Sequence, residues 1–181
     1  IAGQDWFVRQ LDMAMRAVPA NRLIVGIAGY AYDWTTPGSA SPLSIEEAWL
    51  IAHDSEAPIR FDKVSGNAGF AYEENGVAHN VWMADAASAW NELRAADMKG
   101  VAGVALWRLG SEDSGYWKAL AASQRRDGAQ PDLGGLDTVG NVDVEGNGEI
   151  LRIDDQPTPG SRALAFDQRG LIVDEHYQRL P

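Results

Sequence analysis

Two groups of ring-bearing side chains stand out as able to do chemistry. Trp107 closes the short apolar run Val101 to Gly110 and is followed at once by Arg108 and an acidic turn, Glu112-Asp113. Tyr30, Tyr32, Asp33 and Trp34 close a second run of the same character, Leu23 to Gly29. A ring face can stack on the apolar C–H face of a flat ligand such as a sugar, while polar groups at the rim satisfy its hydroxyls. The plainer reading of Trp107 is core packing. Other chemistries lack their residues. There is no cysteine, hence no thiolate nucleophile, thiolate metal site or disulfide. His53, His79 and His176 lie far apart without ligand spacing, so no metal site is expected. There is no phosphate loop, no dinucleotide fingerprint, no serine elbow and no zinc-protease motif, and no cofactor is expected.

The elements that must position these side chains follow from pattern. A short apolar run bounded by turn signals reads as a strand buried on both faces, as in parallel sheets covered by helices. Both aromatic groups sit at the C-terminal end of such a run, and in barrels of parallel strands that end carries the active site. Residues 5–18 read as a helix, with Phe7, Leu11, Met15 and Val18 on one stripe and Asp5 as N-cap. Thr35 to Leu43, with two prolines, reads as a loop. Ser44 and Glu47 form a capping box that starts a helix through about His53. Ile59 to Val64, Ala68 to Glu74 and Val77 to Met83 read as strands, and Asn75-Gly76 is a type I′ hairpin signal. Asp85 caps a helix over 86–99 whose stripe is Ala86, Trp90, Leu93 and Ala96, stopped by Gly100. A short helix over 114–123 is expected to pack Trp117 and Leu120 inward.

Helix then strand, twice over, is the mark of parallel βα units, so the fold class is α/β. From Gln124 the composition shifts to Gly, Asp and Gln, and 124–138 reads as a linker. Two hairpins follow, one around Gly146-Asn147-Gly148 and one around 167–170. The expected division is 1–123 for the α/β part and 124–181 for linker and β-rich appendage, the latter too small to stand without docking. A net charge of −11 over 181 residues argues against nucleic acid or anionic membranes as partners. No apolar run is long enough to span a bilayer. The first residues lack a basic start and apolar core, and with no initiator Met the chain is expected to be part of something longer. Seven tryptophans fit a sugar-binding cleft.

Taken together, Gly26-Ile27-Ala28-Gly29-Tyr30-Ala31-Tyr32-Asp33-Trp34, Phe61-Asp62, Phe70-Ala71-Tyr72, the run from Val81 to Ser88 and the run from Gly103 to Asp113 resemble a known pattern. In order and spacing, residues 5–117 are similar to the C-terminal part of the (β/α)8 barrel of glycoside hydrolase family 18. That family includes chitinases, chitinase-like proteins and enzymes of spore germination. Ala28 stands where the family often has Pro, and Ala31 where Gly is common. The resemblance implies a partial TIM barrel: its last two strands and their helices, an inserted antiparallel hairpin, and the β-rich appendage. It implies that Trp107 stacks under the sugar, and that Tyr30 and Tyr32, with Asp33 or Trp34, border the cleft. It places Glu112 and Asp113 in a capping or structural turn.

The family's catalytic Glu ends an Asp-x-x-Asp-x-Asp-x-Glu motif, and the substrate's own N-acetyl group is the nucleophile. No segment here has that spacing, so no catalytic residue is assigned and the chain alone is expected to be inactive. The reading is a piece of a glycosidase acting on N-acetylglucosamine polymers, of chitin or peptidoglycan type. A non-catalytic carbohydrate-binding module is the alternative, and a purely structural domain the third. By resemblance the partners are a carbohydrate polymer and the rest of a multidomain parent, with polysaccharide deacetylase and glycosyltransferase regions. The place is the outer side of a bacterial envelope or the medium. Two barrel strands cannot close a barrel, so self-association of the chain is expected.

Overall fold

Gly3, not Asp5, opens the first helix. In the computed structural model, which describes residues 1–36, 38–125, 142–144, 150–153, 162–166 and 171–177, α1 spans Gln4–Met15 with Gly3 in extended conformation before it. Asp5 lies inside the first turn. Its carboxylate accepts from the Trp6 N–H and from Arg9, one turn on, so it favours the helix from within rather than as the cap. Phe7 and Leu11 are buried as the stripe requires.

A 3-10 turn at Ala20–Arg22 leads into β1, Ile24–Ala28, which pairs in parallel with β7, Gly103–Trp107. The pair is not buried on both faces, as the apolar runs suggested. Side chains alternate along a strand. Val25, Ile27, Val104 and Leu106 pack on the helices, with Ile27 fully buried. Ile24 (71%) and Trp107 (67%) are exposed on the other face. No described element covers that second face.

The covering layer centres on α3, Ala86–Met98. Asp85 caps it as read, accepting from the Ala87 and Ser88 N–H groups at 3.1 Å each. The helix is buried well beyond its predicted stripe, through Ser88, Asn91 and Glu92, because α1, α4, β1 and β11 all contact it. α4 spans Tyr116–Ser123. Its inward aromatic is Tyr116, 1% exposed, whereas Trp117 is 48% exposed. Leu120 packs on the core as expected, so only the inward aromatic is displaced, by one position, which a helix of barely two turns leaves open.

Between β1 and α3 lies a five-stranded antiparallel sheet in the order β3-β2-β6-β5-β4. Its strands are β2 (Ala31–Thr35), β3 (Ser39–Leu43), β4 (Arg60–Asp62), β5 (Asn67–Glu74) and β6 (Val77–Met83). β3 falls where a loop was expected. Its proline, Pro42, is tolerated because the strand is an edge, where a missing N–H leaves no neighbour unpaired. Asn75 and Gly76 take the positive φ values, 53° and 77°, that their turn demands. α2, Ile45–Asp54, starts at the predicted capping box: Ser44 Oγ accepts from Glu47 N–H, and Glu47 accepts from Ser44 N–H at 2.7 Å. It lies on one face of the sheet, burying Ile45, Ala48 and Ala52 against Ala31, Val81 and Met83.

Beyond α4, β8 (Val142–Val144) pairs with β9 (Ile150–Ile153), and β10 (Arg162–Phe166) with β11 (Ile172–Tyr177), both antiparallel. Most of the expected linker, from 126 on, and the two turns lie outside the described residues. β11 reaches α3 and β4. Its first residue, Ile172, is 2% exposed and is gripped on both backbone groups by Asn91: Ile172 N–H donates to Asn91 Oδ1, and Asn91 Nδ2 donates to the Ile172 carbonyl, each at 2.6 Å.

Candidate functional site

The parallel pair and the antiparallel sheet meet at Gly29. Its N–H donates to the Trp107 carbonyl at 3.0 Å, which joins the end of β1 to the end of β7. A Cβ at this position would lie 2.8 Å from Leu106 Cδ1 and 3.1 Å from Glu112 Cβ, so only glycine permits the close approach. Trp107 presents its indole to solvent from the uncovered face, and its peptide bond to Arg108 is cis.

From Gly29 the chain runs into β2, where strand alternation sorts the predicted residues. Tyr30, Tyr32 and Trp34 fall on one side. Tyr30 and Tyr32 meet edge to face at 5.7 Å, and Tyr32 and Trp34 at 5.9 Å with a 38° tilt. Burial raises the Tyr30 hydroxyl above its usual pKa, so this phenol stays a neutral donor. Trp34 is 45% exposed. The three rings form one continuous row on the sheet face opposite α2.

Asp33 does not join them. It points to the other side, is buried, and accepts from Tyr72 O–H at 2.9 Å and pairs with His79 Nδ1 at 2.8 Å. Tyr72 stacks on the His79 ring at 4.4 Å, and burial together with the Asp33 bond pushes its hydroxyl up to about 12. Of the two residues offered as the cleft's further border, Asp33 or Trp34, it is Trp34 that shares the face of the tyrosines and Asp33 that lies on the opposite one, since neighbours in a strand alternate.

The aromatic face carries residues that sequence reading did not single out as a site. Register places Trp82 directly across from Tyr32, and Asn80 across from Trp34. Trp82 borders a hollow of about 400 Å³ with Trp34, Asp62, Ser65, Asn67 and Asn80. It also borders a second of about 370 Å³ reaching Arg60 and Gly69. The alternation of 77–83 did put Ala78, Asn80 and Trp82 on a common face. Their partner was hidden because β2 was read as the end of β1 and a loop.

The acidic turn is structural in this geometry. Glu112 accepts from the N–H groups of Gly110 and Ser111, at 2.6 and 3.0 Å. Asp113, 2% exposed, accepts from Ala86 N–H at 3.0 Å and Gly115 N–H at 2.6 Å, tying the turn to the start of α3. Among the described residues no cluster of three or more His, Asp or Glu could hold a metal ion.

No family model matches the chain. It is 29% identical over 123 residues to an uncharacterized glycosylase, YvbX, of Bacillus subtilis, a match covering 66% of this chain and 36% of that protein. It is 28% identical over 117 residues to the cortical fragment-lytic enzyme of the same organism, covering 61% of this chain and 27% of the enzyme. The chain thus spans roughly a third of these relatives. Among solved structures, a chitinase from Chromobacterium violaceum matches with a TM-score of 0.65 and 31% identity, over 70% of this chain and 40% of its own.

Proposed function

We infer the function from one premise: the chain is similar, in sequence and in fold, to the glycosylases and chitinases of glycoside hydrolase family 18. On that premise it is the C-terminal part of a family 18-like barrel that acts on an N-acetylglucosamine-containing polysaccharide. Residues 1–123 are the barrel part, with β1 and β7 as its last two strands, and 124–181 the appendage. Its contribution is to hold the sugar. The observation that carries this is the row Tyr30–Tyr32–Trp34 on an open sheet face, joined through Gly29 to the exposed Trp107.

These rings offer apolar faces to pyranose C–H groups, while the phenols and Asn80 offer polar edges. The bond-breaking acid is not among these residues, since no Asp-x-x-Asp-x-Asp-x-Glu segment occurs in the chain. The exposed face of β1 and β7 is where further barrel strands, or a second copy, would pack. A substrate of this kind places the protein on the outer side of a bacterial envelope or in the medium. Among the described residues no helix is long and apolar enough to cross a membrane.

Titration of the chain with chitotetraose, followed by tryptophan fluorescence, tests the reading. Trp107→Ala is expected to weaken binding about tenfold, the loss of one well-stacked aromatic anchor. Unchanged affinity in that variant, or no response from the parent chain, would refute it.

A further inference from the structure

Trp82 is a large apolar side chain left 37% exposed on the face that α2 does not cover. What seats it there is the residue across the ladder. Gly69 pairs with Trp82, and a Cβ at Gly69 would stand 2.9 Å from Trp82 Cε3 and 3.2 Å from Cδ2. The indole therefore lies down across β5 in space that only glycine leaves free, instead of standing off the sheet. A flattened ring turns one face to the strand and the other to solvent.

Its borders are polar. The two hollows of about 400 and 370 Å³ meet at Trp82, and Asp62 and Asn80 line both. Each hollow has the size of a small-ligand pocket. Asp62 is set by the N–H groups of Val64 and Ser65, at 3.3 and 3.0 Å, and a hydrogen bond from Ser65 keeps its carboxyl below its usual range. A fixed acceptor, an exposed carboxamide and an open ring face together suit a pyranose, whose C–H face wants an aromatic and whose equatorial hydroxyl and amide groups want partners at the rim. Packing alone would need neither the open ring nor the two hollows. The position is continuous with the aromatic row, since Tyr32 is the direct cross-strand partner of Trp82.

We propose that Trp82, seated on Gly69 and flanked by Trp34 and Asn80, is a second saccharide platform that takes one β-linked N-acetylhexosamine residue of the polymer on its exposed ring face. This rests on the glycan reading above and adds a subsite remote in sequence from Trp107. The shared chemistry is the N-acetylated sugar. A neutral chitin chain and the alternating glycan strand of peptidoglycan, whose muramic residues carry a carboxylate that the Arg60 side of the platform could meet, are its two sources.

The test uses the full chain with ¹⁵N-labelled indoles. Chitotetraose and a peptidoglycan tetrasaccharide are each titrated while the Trp82 Nε1–H resonance is followed, and affinities are measured in parallel for Trp82→Ala, Asn80→Ala and Trp107→Ala. The proposal expects the Trp82 indole to shift on saturation, Trp82→Ala to weaken binding about tenfold, and Asn80→Ala, at an exposed position, to weaken it a few-fold. The oligosaccharide that binds more tightly identifies the source. If Trp107→Ala weakens binding while Trp82→Ala does not and its indole stays still, the platform is wrong and the glycan reading stands. If the parent chain binds neither oligosaccharide, both fall. Should Trp82→Ala fail to fold, the indole shift in the parent chain and the Asn80→Ala affinity still decide.

Discussion

Glu92 offers the sharpest test of how this core is built. It sits on α3 with 5% exposure, and its Oε2 accepts from the Ala28 N–H at 3.3 Å, at the end of β1. Burial lifts its carboxyl from 4.5 to about 8, with the Ala28 bond pulling weakly the other way. Below pH 4.5 the folded and unfolded chains are both protonated there, and Glu92 is neutral in its effect. Between 4.5 and about 8 the unfolded chain ionises while the folded one keeps its proton. The unfolded state then binds fewer protons, so stability falls as pH rises. Above about 8 the loss levels off. At ~1.4 kcal/mol per unit, the gap sets a ceiling on the order of 5 kcal/mol, and about 3 kcal/mol of it should appear between pH 5 and 7.5. Glu92→Gln keeps the length and the accepting oxygen but cannot ionise. Urea denaturation of both chains at half-unit pH steps measures the effect. The three histidines and every other titrating group are common to both, so the difference between the two curves isolates Glu92. The parent curve should fall away from the variant's as pH rises. Parallel curves from pH 5 to 8 would show that Glu92 is not held protonated in the fold, and the packing of α3 against β1 would have to be redrawn.

Asn91→Leu should cost about 3 kcal/mol, because it removes two short hydrogen bonds and leaves the buried Ile172 N–H and carbonyl unpaired. The loss should appear first as faster amide exchange and proteolysis in 171–177, with α3 itself still protected. Asp113→Ala should destabilise by about 2 to 4 kcal/mol in thermal or chemical melts, since a buried acceptor of two backbone N–H groups is lost at the start of α3. A loss under about 0.5 kcal/mol would return the acidic turn to consideration as a functional site.

How much of this was legible depends on how local each cause is. The capping box at Ser44 and Glu47, the cap at Asp85 and the Asn75-Gly76 turn are decided within four residues, and the chain displays them in its sequence. In α4 Leu120 packs inward as expected, but the inward aromatic is Tyr116 and not its neighbour Trp117, because a stripe over eight residues does not decide between adjacent rings. β3 was misread because Pro42 signals a loop to anyone who cannot see that the strand is an edge. The double grip of Asn91 on Ile172 has no local signature at all, since its two partners are 81 residues apart in the chain. Trp82 was visible as a member of a face. Its importance was not, because that depends on what lies across the ladder.

The trio of buried Asp33 with half-buried His79 and Tyr72 bears on why the aromatic row faces outward. A strand slipped by one residue exchanges its two faces. In β2 such a slip would carry Tyr32 and Trp34 into the layer under α2, and would lift Asp33 onto the open face away from both of its partners. A half-buried phenol and imidazole would lose their acceptor, each at a cost of about 1 kcal/mol, and two large rings would have to replace Ala31 and Asp33 where α2 packs closely on the sheet through Ala48 and Ala52. The polar trio and the small helix residues therefore act together to fix the register. Asp33, the one predicted site residue that turned away from the rings, is the residue that aims them.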